Sequence, residues 1–267
     1  MRRTNVLGLV LSLGLMTASI VAGGFARAQE STEPPPPVAA PRGSVMAEEL
    51  PRAGAIVVFG AAQPVGLEIV KSLAAAKKQV IAVLPQGADR AALDALKVEV
   101  LTADPLVPDQ LKELFAAVPL RAVITSYDAS GEVPAFGAGG TRNIIDATKA
   151  TGVPRLVLVS ATGAGDSAAV LPWYVRFLRG DVIAAAGPVE DHLKASGVDF
   201  TIVRTGWIID EPAGGTAVLN EDAPVFSWIA PADLARLVAS IIDTKTTSGK
   251  TATVVDPERV SLLSLIF

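Results

Sequence analysis

From Gly54 onward, short runs of apolar residues alternate with longer stretches in which apolar positions recur every three or four residues. Four to six consecutive aliphatic or β-branched residues between turn residues read as strands buried on both faces, and the longer stretches read as amphipathic helices. The pattern predicts strands at 56–59, 79–84, 98–101, 121–125 and 155–159, then at 199–203 and 251–255. It predicts helices at 64–76, 90–96, 108–117 and 139–151, the last stopped by Gly152, and at 182–196 after a further helical stretch. A helix at 232–242 carries Leu234, Leu237, Val238 and Ile241 on one face. There is no repeat at solenoid periods. Strand–helix alternation closes into a parallel sheet through right-handed crossovers, so the expected fold is an α/β, doubly wound parallel sheet in a single domain spanning 53–267.

The junction of the first strand and first helix is the most informative segment. Residues 55–66 read Ala-Ile-Val-Val-Phe-Gly-Ala-Ala-Gln-Pro-Val-Gly, an apolar strand running into a glycine turn. Gly60 and Gly66 hold the outer places of a Gly-x-x-Gly-x-x-Gly spacing, with Gln63 between them. This is the outline of a Rossmann-type dinucleotide opening: the first glycine allows the tight exit, the last allows close helix–sheet packing, and the middle one lets backbone approach a pyrophosphate. Gln63 adds a side chain at that middle place, and Pro64 removes an N–H while suiting the first helical position. The helix N-terminus still offers N–H groups and partial positive charge. Gly60, Ala62, Gln63, Pro64, Val65 and Gly66 are therefore candidate cofactor-binding residues. A relic turn kept only for folding is the competing reading.

Composition sets the surroundings. Of 267 residues, half are hydrophobic and the formal net charge is −4. No basic stripe marks a nucleic-acid partner. With no cysteine, disulfides and thiolate chemistry are excluded. Arg2 and Arg3 precede a nearly uncharged apolar run over 6–25, and Ala26-Arg27-Ala28 is a small-x-small cleavage site. Residues 1–28 are expected to be a secretory signal or a membrane anchor. Cleavage after Ala28 leaves 20 basic and 27 acidic residues, a net charge of −7. An uncleaved run would tether the chain through 6–25. Export by the general or the twin-arginine route fits the paired arginines, and either places the domain in the periplasm or facing outside the cytoplasm. Residues 29–52, rich in proline, read as an extended linker.

Further segments, in order, resemble one family. Gly60-Ala61-Ala62-x-x-x-Gly66 matches the opening of short-chain dehydrogenase/reductases, and 98–104 resembles their third strand with its Asp. Gly140-Thr141-Arg142-Asn143-Ile144-Ile145-Asp146-Ala147, then 152–160, is similar to the atypical, NmrA-like, NAD(P)H-binding branch, as is 193–204. The resemblance covers about 54–256. It implies a cofactor, NAD or NADP with NADP slightly favoured, and a small-molecule substrate. It implies that Asp104 sits by the adenine, although Asp104-Pro105 also opens turns. The acidic residue that would hold an NAD ribose, and the Arg that would hold an NADP phosphate, are both replaced by Pro85-Gln86; Arg90 stands nearby as a solvated helix-start residue or a substitute phosphate partner.

Ser126 and Tyr127 end the fourth strand, at the carboxyl edge where open α/β sheets bind ligands, and Ser160 follows the fifth. All three are candidate cofactor-lining residues. The family's catalytic set is a Ser or Thr after the fifth strand plus a Tyr-x-x-x-Lys. Here Thr162 matches the hydroxyl, and Tyr174 is the only downstream Tyr. Leu178 stands where the Lys belongs and Arg179 is one place out of register, so the expected pair Thr162 and Tyr174 is degenerate. Tyr174 packing on a loop is the plainer alternative. Glu190, Asp191 and His192 are consecutive on a helix, point in different directions, and read as a solvated face rather than a metal site. Two functions stand: an exported NAD(P)-dependent oxidoreductase with a degenerate site, and a non-catalytic binding, sensor or assembly module that kept the fold. Residues 163–185 and 205–230, which would shape the substrate pocket, carry no recognisable code.

Overall fold

The computed structural model describes residues 54–126, 137–221 and 224–260. Its strands are β1 (Ala55–Phe59), β2 (Val80–Leu84), β3 (Glu99–Thr102), β4 (Leu120–Ser126), β5 (Leu156–Ala161), β6 (Phe200–Thr205), β7 (Trp207–Ile208), β8 (Val218–Asn220), β9 (Trp228–Ile229) and β10 (Lys250–Val255). Its helices are α1 (Pro64–Ala75), α2 (Ala91–Ala95), α3 (Pro108–Ala117), α4 (Gly137–Thr151), α5 (Trp173–Ser196) and α6 (Pro231–Ile241), with 3-10 turns at Gly165–Val170 and Pro257–Arg259.

Eight strands form one sheet in the order β3-β2-β1-β4-β5-β6-β10-β8. Only β8, antiparallel to β10, departs from parallel pairing. The winding reverses between β1 and β4, which opens a crevice at their carboxyl ends. This is the expected Rossmann-type, doubly wound sheet.

Strand alternation divides the core. Ile56 and Val58 of β1 face α1 and α6, packing with Ile69, Leu73, Leu234 and Val238. Ala55, Val57 and Phe59 face the other way, toward α3, α4 and α5, with Leu111, Ile144 and Leu193. The apolar face anticipated for α6 is buried in full: Leu234, Leu237, Val238 and Ile241. Each such side chain is worth about 1.5–3 kcal/mol when fully buried. Charged side chains also enter this core. Arg155 is fully buried and is held by Asp199, Thr201, Thr247 and the Ile241 carbonyl, tying β5, β6 and the end of α6 together.

The structure differs from expectation mainly beyond β5. The helix expected at 182–196 begins at Trp173 and has Pro188 in its interior. Proline cannot donate to the carbonyl four residues earlier, that of Ala184, so α5 has a weak point in its second half. The paired strands β7 and β9, two residues each, and β8, three residues, are too short to show a hydrophobic period.

Candidate functional site: the crevice at the switch point

The chain leaves β1 through a turn at Gly60–Gln63. Gly60 takes φ +78°, the left-handed region, and the Gln63 N–H closes the turn onto the Gly60 carbonyl at 2.9 Å. Gln63 is the N-cap of α1, with extended backbone and no side-chain capping bond, and Pro64 opens the helix. The first helical bond runs from Leu67 N–H to the Gln63 carbonyl at 2.8 Å. The N–H groups of Val65 and Gly66 thus have no acceptor within the helix and project from its positive end. A Cβ on Gly66 would stand 2.0 Å from the Gly60 oxygen, so no other residue fits this contact.

Gln63 lines the crevice and does not fill it. A cleft of about 520 Å³, mouth included, opens between this turn and the ends of β2 and β3, bounded by Gly60, Ala62, Gln63, Leu84, Pro85 and Asp104. Asp104 makes its own turn, its Oδ1 accepting the Leu106 N–H at 2.8 Å, while lining this cleft. Turn opening and cleft lining coexist in one residue. At the end of β2, Pro85 and Gln86 are exposed, and Arg90 is bound to Asp94 on the surface. Arg90 is therefore a solvated helix-start residue.

On the other side of the crevice β4 ends beside the turn: Ser126 Cβ lies 3.5 Å from the place a Gly60 Cβ would take. Ser126 is buried and its hydroxyl has no hydrogen-bond partner; the same holds for the hydroxyls of Thr125, Thr162 and Thr205. These groups sit at the carboxyl ends of three adjacent strands. A buried hydroxyl left unpaired costs about 1–3 kcal/mol, so such a cluster is suited to a polar ligand. Tyr127 lies outside the described residues.

Two expectations need correction. Ser160, expected at the cofactor, lies inside β5, and its hydroxyl donates to Glu190 Oε1 at 2.7 Å. Glu190, expected on a solvated face, is fully buried. It shares a helix face with the buried Ala186 and Leu193, so α5 carries it into the core. A charge there needs a partner, and Arg204 supplies it with bonds of 3.1 and 2.6 Å. Arg204 also pairs with Asp166 at 2.6 Å. That hydrogen bond holds the Asp166 carboxyl below the usual range. Burial opposes the charge on Arg204, but Glu190 and Asp166 outweigh it and raise its pKa. Asp191 is exposed, and His192 reaches Asp146 on α4 at 2.7 Å. Among the described residues no group of three His, Cys, Asp or Glu is placed for a metal ion.

Thr162 follows β5, fully buried, its N–H donating to the Thr205 carbonyl at 2.8 Å. It lines a second cleft of about 430 Å³, mouth included, with Val175, Arg179, Thr205, Trp207 and Phe226. Tyr174 is not among the lining residues. It stands edge-on to Trp173, at a centroid distance of 6.1 Å, and packs against the Leu171 and Val175 cluster. The anticipated pair is thus not brought into one cleft. The cause is helix phase: successive residues turn by about 100°, and the buried Val175 sets which side of α5 faces inward. The residues four apart that line the cleft are Val175 and Arg179.

Sequence reasoning assigned the substrate pocket to 163–185 and 205–230 but singled out none of Thr205, Gly206, Trp207 and Phe226, which line this cleft. The available signal was a glycine directly after an apolar strand. A Cβ on Gly206 would lie 1.9 Å from the Ser227 oxygen, so the two backbones touch there.

The residues present fit a dinucleotide: an open turn with projecting N–H groups, an acidic residue at the end of β3, and unpaired hydroxyls beyond β4 and β5. Comparison with known proteins agrees. The structure of an anaerobillin reductase, ChuY of Escherichia coli O157:H7, superposes with TM-score 0.68 at 21% identity, covering 78% of this chain and 99% of that one. A short-chain dehydrogenase/reductase of Veillonella parvula in complex with NADP gives 0.63 at 15% identity, covering 78% and 96%. At these identities the likeness is one of fold. An uncharacterized sugar epimerase of Bacillus subtilis, YhfK, is 31% identical over 130 residues, 47% of this chain and 55% of that protein. An uncharacterized chloroplastic protein of Arabidopsis thaliana is 33% identical over 104 residues, 38% of this chain. The chain spans only 37% of that protein's length, so both curated relatives are matched over less than two thirds of their own extent. The model of the NAD(P)H-binding family matches residues 60–245, and the chain belongs to that family.

Proposed function

We propose that this chain is an exported NAD(P)H-dependent oxidoreductase that acts slowly, with hydroxyls but no Tyr–Lys proton donor at its reacting centre. The observation that carries this reading is the open crevice at the switch point, which Gln63 borders without closing. In it the Val65 and Gly66 N–H groups would receive phosphate, Asp104 would accept from the adenine amino group, and Ser126 would line the path beyond. The chemistry that the cofactor would supply here when bound is hydride transfer. Thr162 Oγ1 is the group that donates to a reacting oxygen, and the proton that follows comes from solvent. Positioned general acids contribute about 10²–10⁴-fold, so turnover is lower by that order than with a complete set.

Residues 1–28 are read as a signal or anchor and 29–52 as a linker, which puts the domain outside the cytoplasm. Among the described residues no helix is long and apolar enough to cross a membrane, and 6–25 lies outside them. A binding-only module is the second reading, favoured by Val175 and Arg179 in the cleft where a Tyr–Lys pair would act.

Calorimetry of the mature domain with NADPH and NADH tests the binding step. Saturable heat is expected below millimolar cofactor. Gln63→Gly is expected to tighten binding several-fold by clearing the wall of the crevice. No heat at millimolar concentration in either protein overturns the reading. Binding without acceptor-dependent NADPH oxidation favours the binding-only module.

A further inference from the structure

We propose that the first half of α5 docks on an anionic lipid surface, with Trp173 and Phe177 entering the headgroup layer and Arg176 meeting lipid phosphate. The inference stands independently of the cofactor reading. Trp173 and Phe177, one turn apart, are 75% and 83% exposed, and Leu178 beside them is 62% exposed. Gly180 and Ala184 continue the same side of the helix, so an uncharged stripe runs along it. The stripe points away from Val175 and Ile183, which are buried and fix the inward side of α5. Together the three large side chains expose about 400–500 Å². An apolar patch of that size on one chain marks an interaction surface.

Charge selects the occupant. Arg176 flanks the stripe and is exposed, with one N–H given to the Ala168 carbonyl at 3.2 Å. A guanidinium has five donors, so this contact leaves most of them for another acceptor. The first turn of α5 holds no acidic residue and no side-chain cap, which places the positive pole of a 24-residue helix beside the two aromatics. Asp181, two turns on, is the single acidic residue between 173 and 184. The chain as a whole is acidic, at −4, so the positive sign here is local. Exposed tryptophan and phenylalanine beside an arginine match a surface with an apolar interior and an anionic face. A second copy matches less well: two such patches face to face bury about 800–1,000 Å², below the roughly 1,200 Å² at which stable interfaces begin. A lipid surface demands no complementary shape.

The test uses the full chain with vesicles of phosphatidylglycerol or of phosphatidylcholine. The chain has no cysteine, so one introduced thiol carries an environment-sensitive fluorophore at a single place. Gly180→Cys puts it on the stripe, where the nearest foreign atom to a new Cβ is Arg176 Cγ at 3.7 Å. Glu113→Cys, exposed on α3 and off the stripe, is the reference. Emission at 180 is expected to rise about threefold with phosphatidylglycerol, far less with phosphatidylcholine, and not at 113. High salt should reverse most of the rise. Trp173→Ala combined with Phe177→Ala should weaken vesicle binding at 180 by about tenfold or more. Arg176→Gln should weaken it about fivefold for phosphatidylglycerol alone, the effect of one basic residue near an anionic surface. Melting curves report whether each variant folds, and Trp173→Ala alone serves if the double variant does not.

No rise at 180 with either lipid overturns the proposal, as does a rise that survives loss of the aromatics or is equal for the two lipids. Equal rises at 180 and 113 overturn it too, by assigning the contact to a tether elsewhere in the chain. A rise at 180 that follows protein concentration without lipid assigns the face to a second copy instead.

Discussion

Replacing Gly66 by Ala places a methyl carbon 2.0 Å from the Gly60 oxygen, 2.6 Å from its carbonyl carbon and 3.0 Å from Ala61 Cα. All three are backbone atoms of the turn leaving β1. That turn is closed by the Gln63–Gly60 hydrogen bond, and β1 is held between β2 and β4 in the sheet. The turn has little room to yield, so α1 must lift by about 1 Å or more to relieve the overlap. Val65, Ile69, Val70 and Leu73 on that helix are buried and resist the movement. Overpacking of this kind costs about 1–3 kcal/mol. Replacing a helical glycine by alanine returns at most about 1 kcal/mol. The net expectation is a loss of about 1–2 kcal/mol at unchanged m-value, read from urea unfolding by circular dichroism. Gly139→Ala is the control. It lies on α4 with its nearest foreign atom, Leu106 Cδ2, at 3.7 Å, and should be neutral or slightly stabilising. If Gly66→Ala is as stable as the wild type at the same m-value, the helix and turn are not in the contact described, and the argument for an obligatory glycine there fails.

The buried ion pair gives a second expectation. Glu190→Ala leaves Arg204 charged and buried with only the surface-exposed Asp166 beside it, a situation that costs about 3–5 kcal/mol; thermal unfolding showing less than about 1 kcal/mol would refute the pairing. Asp243 gives a third. Burial works against its charge, but hydrogen bonds from Arg121 and Lys78 prevail and its carboxyl is held below the ordinary value. A folded-state pKa below the unfolded one, about 3.9, contributes stability above that pH and loses it as pH falls through the folded value. Asp243→Asn should therefore lower stability at neutral pH and flatten the acid limb of stability between about pH 4 and the depressed folded pKa. Urea midpoints across that range that keep the wild-type slope would contradict the assignment.

The heart of the sheet was legible because β1, β2 and β5 are buried on both faces and announce themselves as apolar runs. The interval 108–117 was predicted as a helix and is one without change, since proline marks its start and Leu111, Leu114 and Phe115 recur on one side. The crevice was legible for a related reason: Gly60 and Gly66 are required by local geometry that only glycine satisfies. The second cleft was not. Its residues come from β5, α5, the β6–β7 junction and the segment before β9, four places joined only by tertiary packing. The phase of α5 was hidden as well, because the sequence offers a tyrosine at 174 but burial of Val175 decides what faces inward. Glu190 misled for the opposite reason: three polar residues in a row suggest water, and nothing local reveals that Arg204 waits on β6.

Pro188 divides α5 into lengths with different anchorage. The segment after it is riveted to the sheet through Glu190, while Val175, Arg179 and Ile183 all belong to the segment before it. One wall of the cleft is therefore carried on a cantilever whose root lacks a backbone hydrogen bond. Such a wall adjusts its tilt more cheaply than a strand-borne wall, so guest size is policed loosely there.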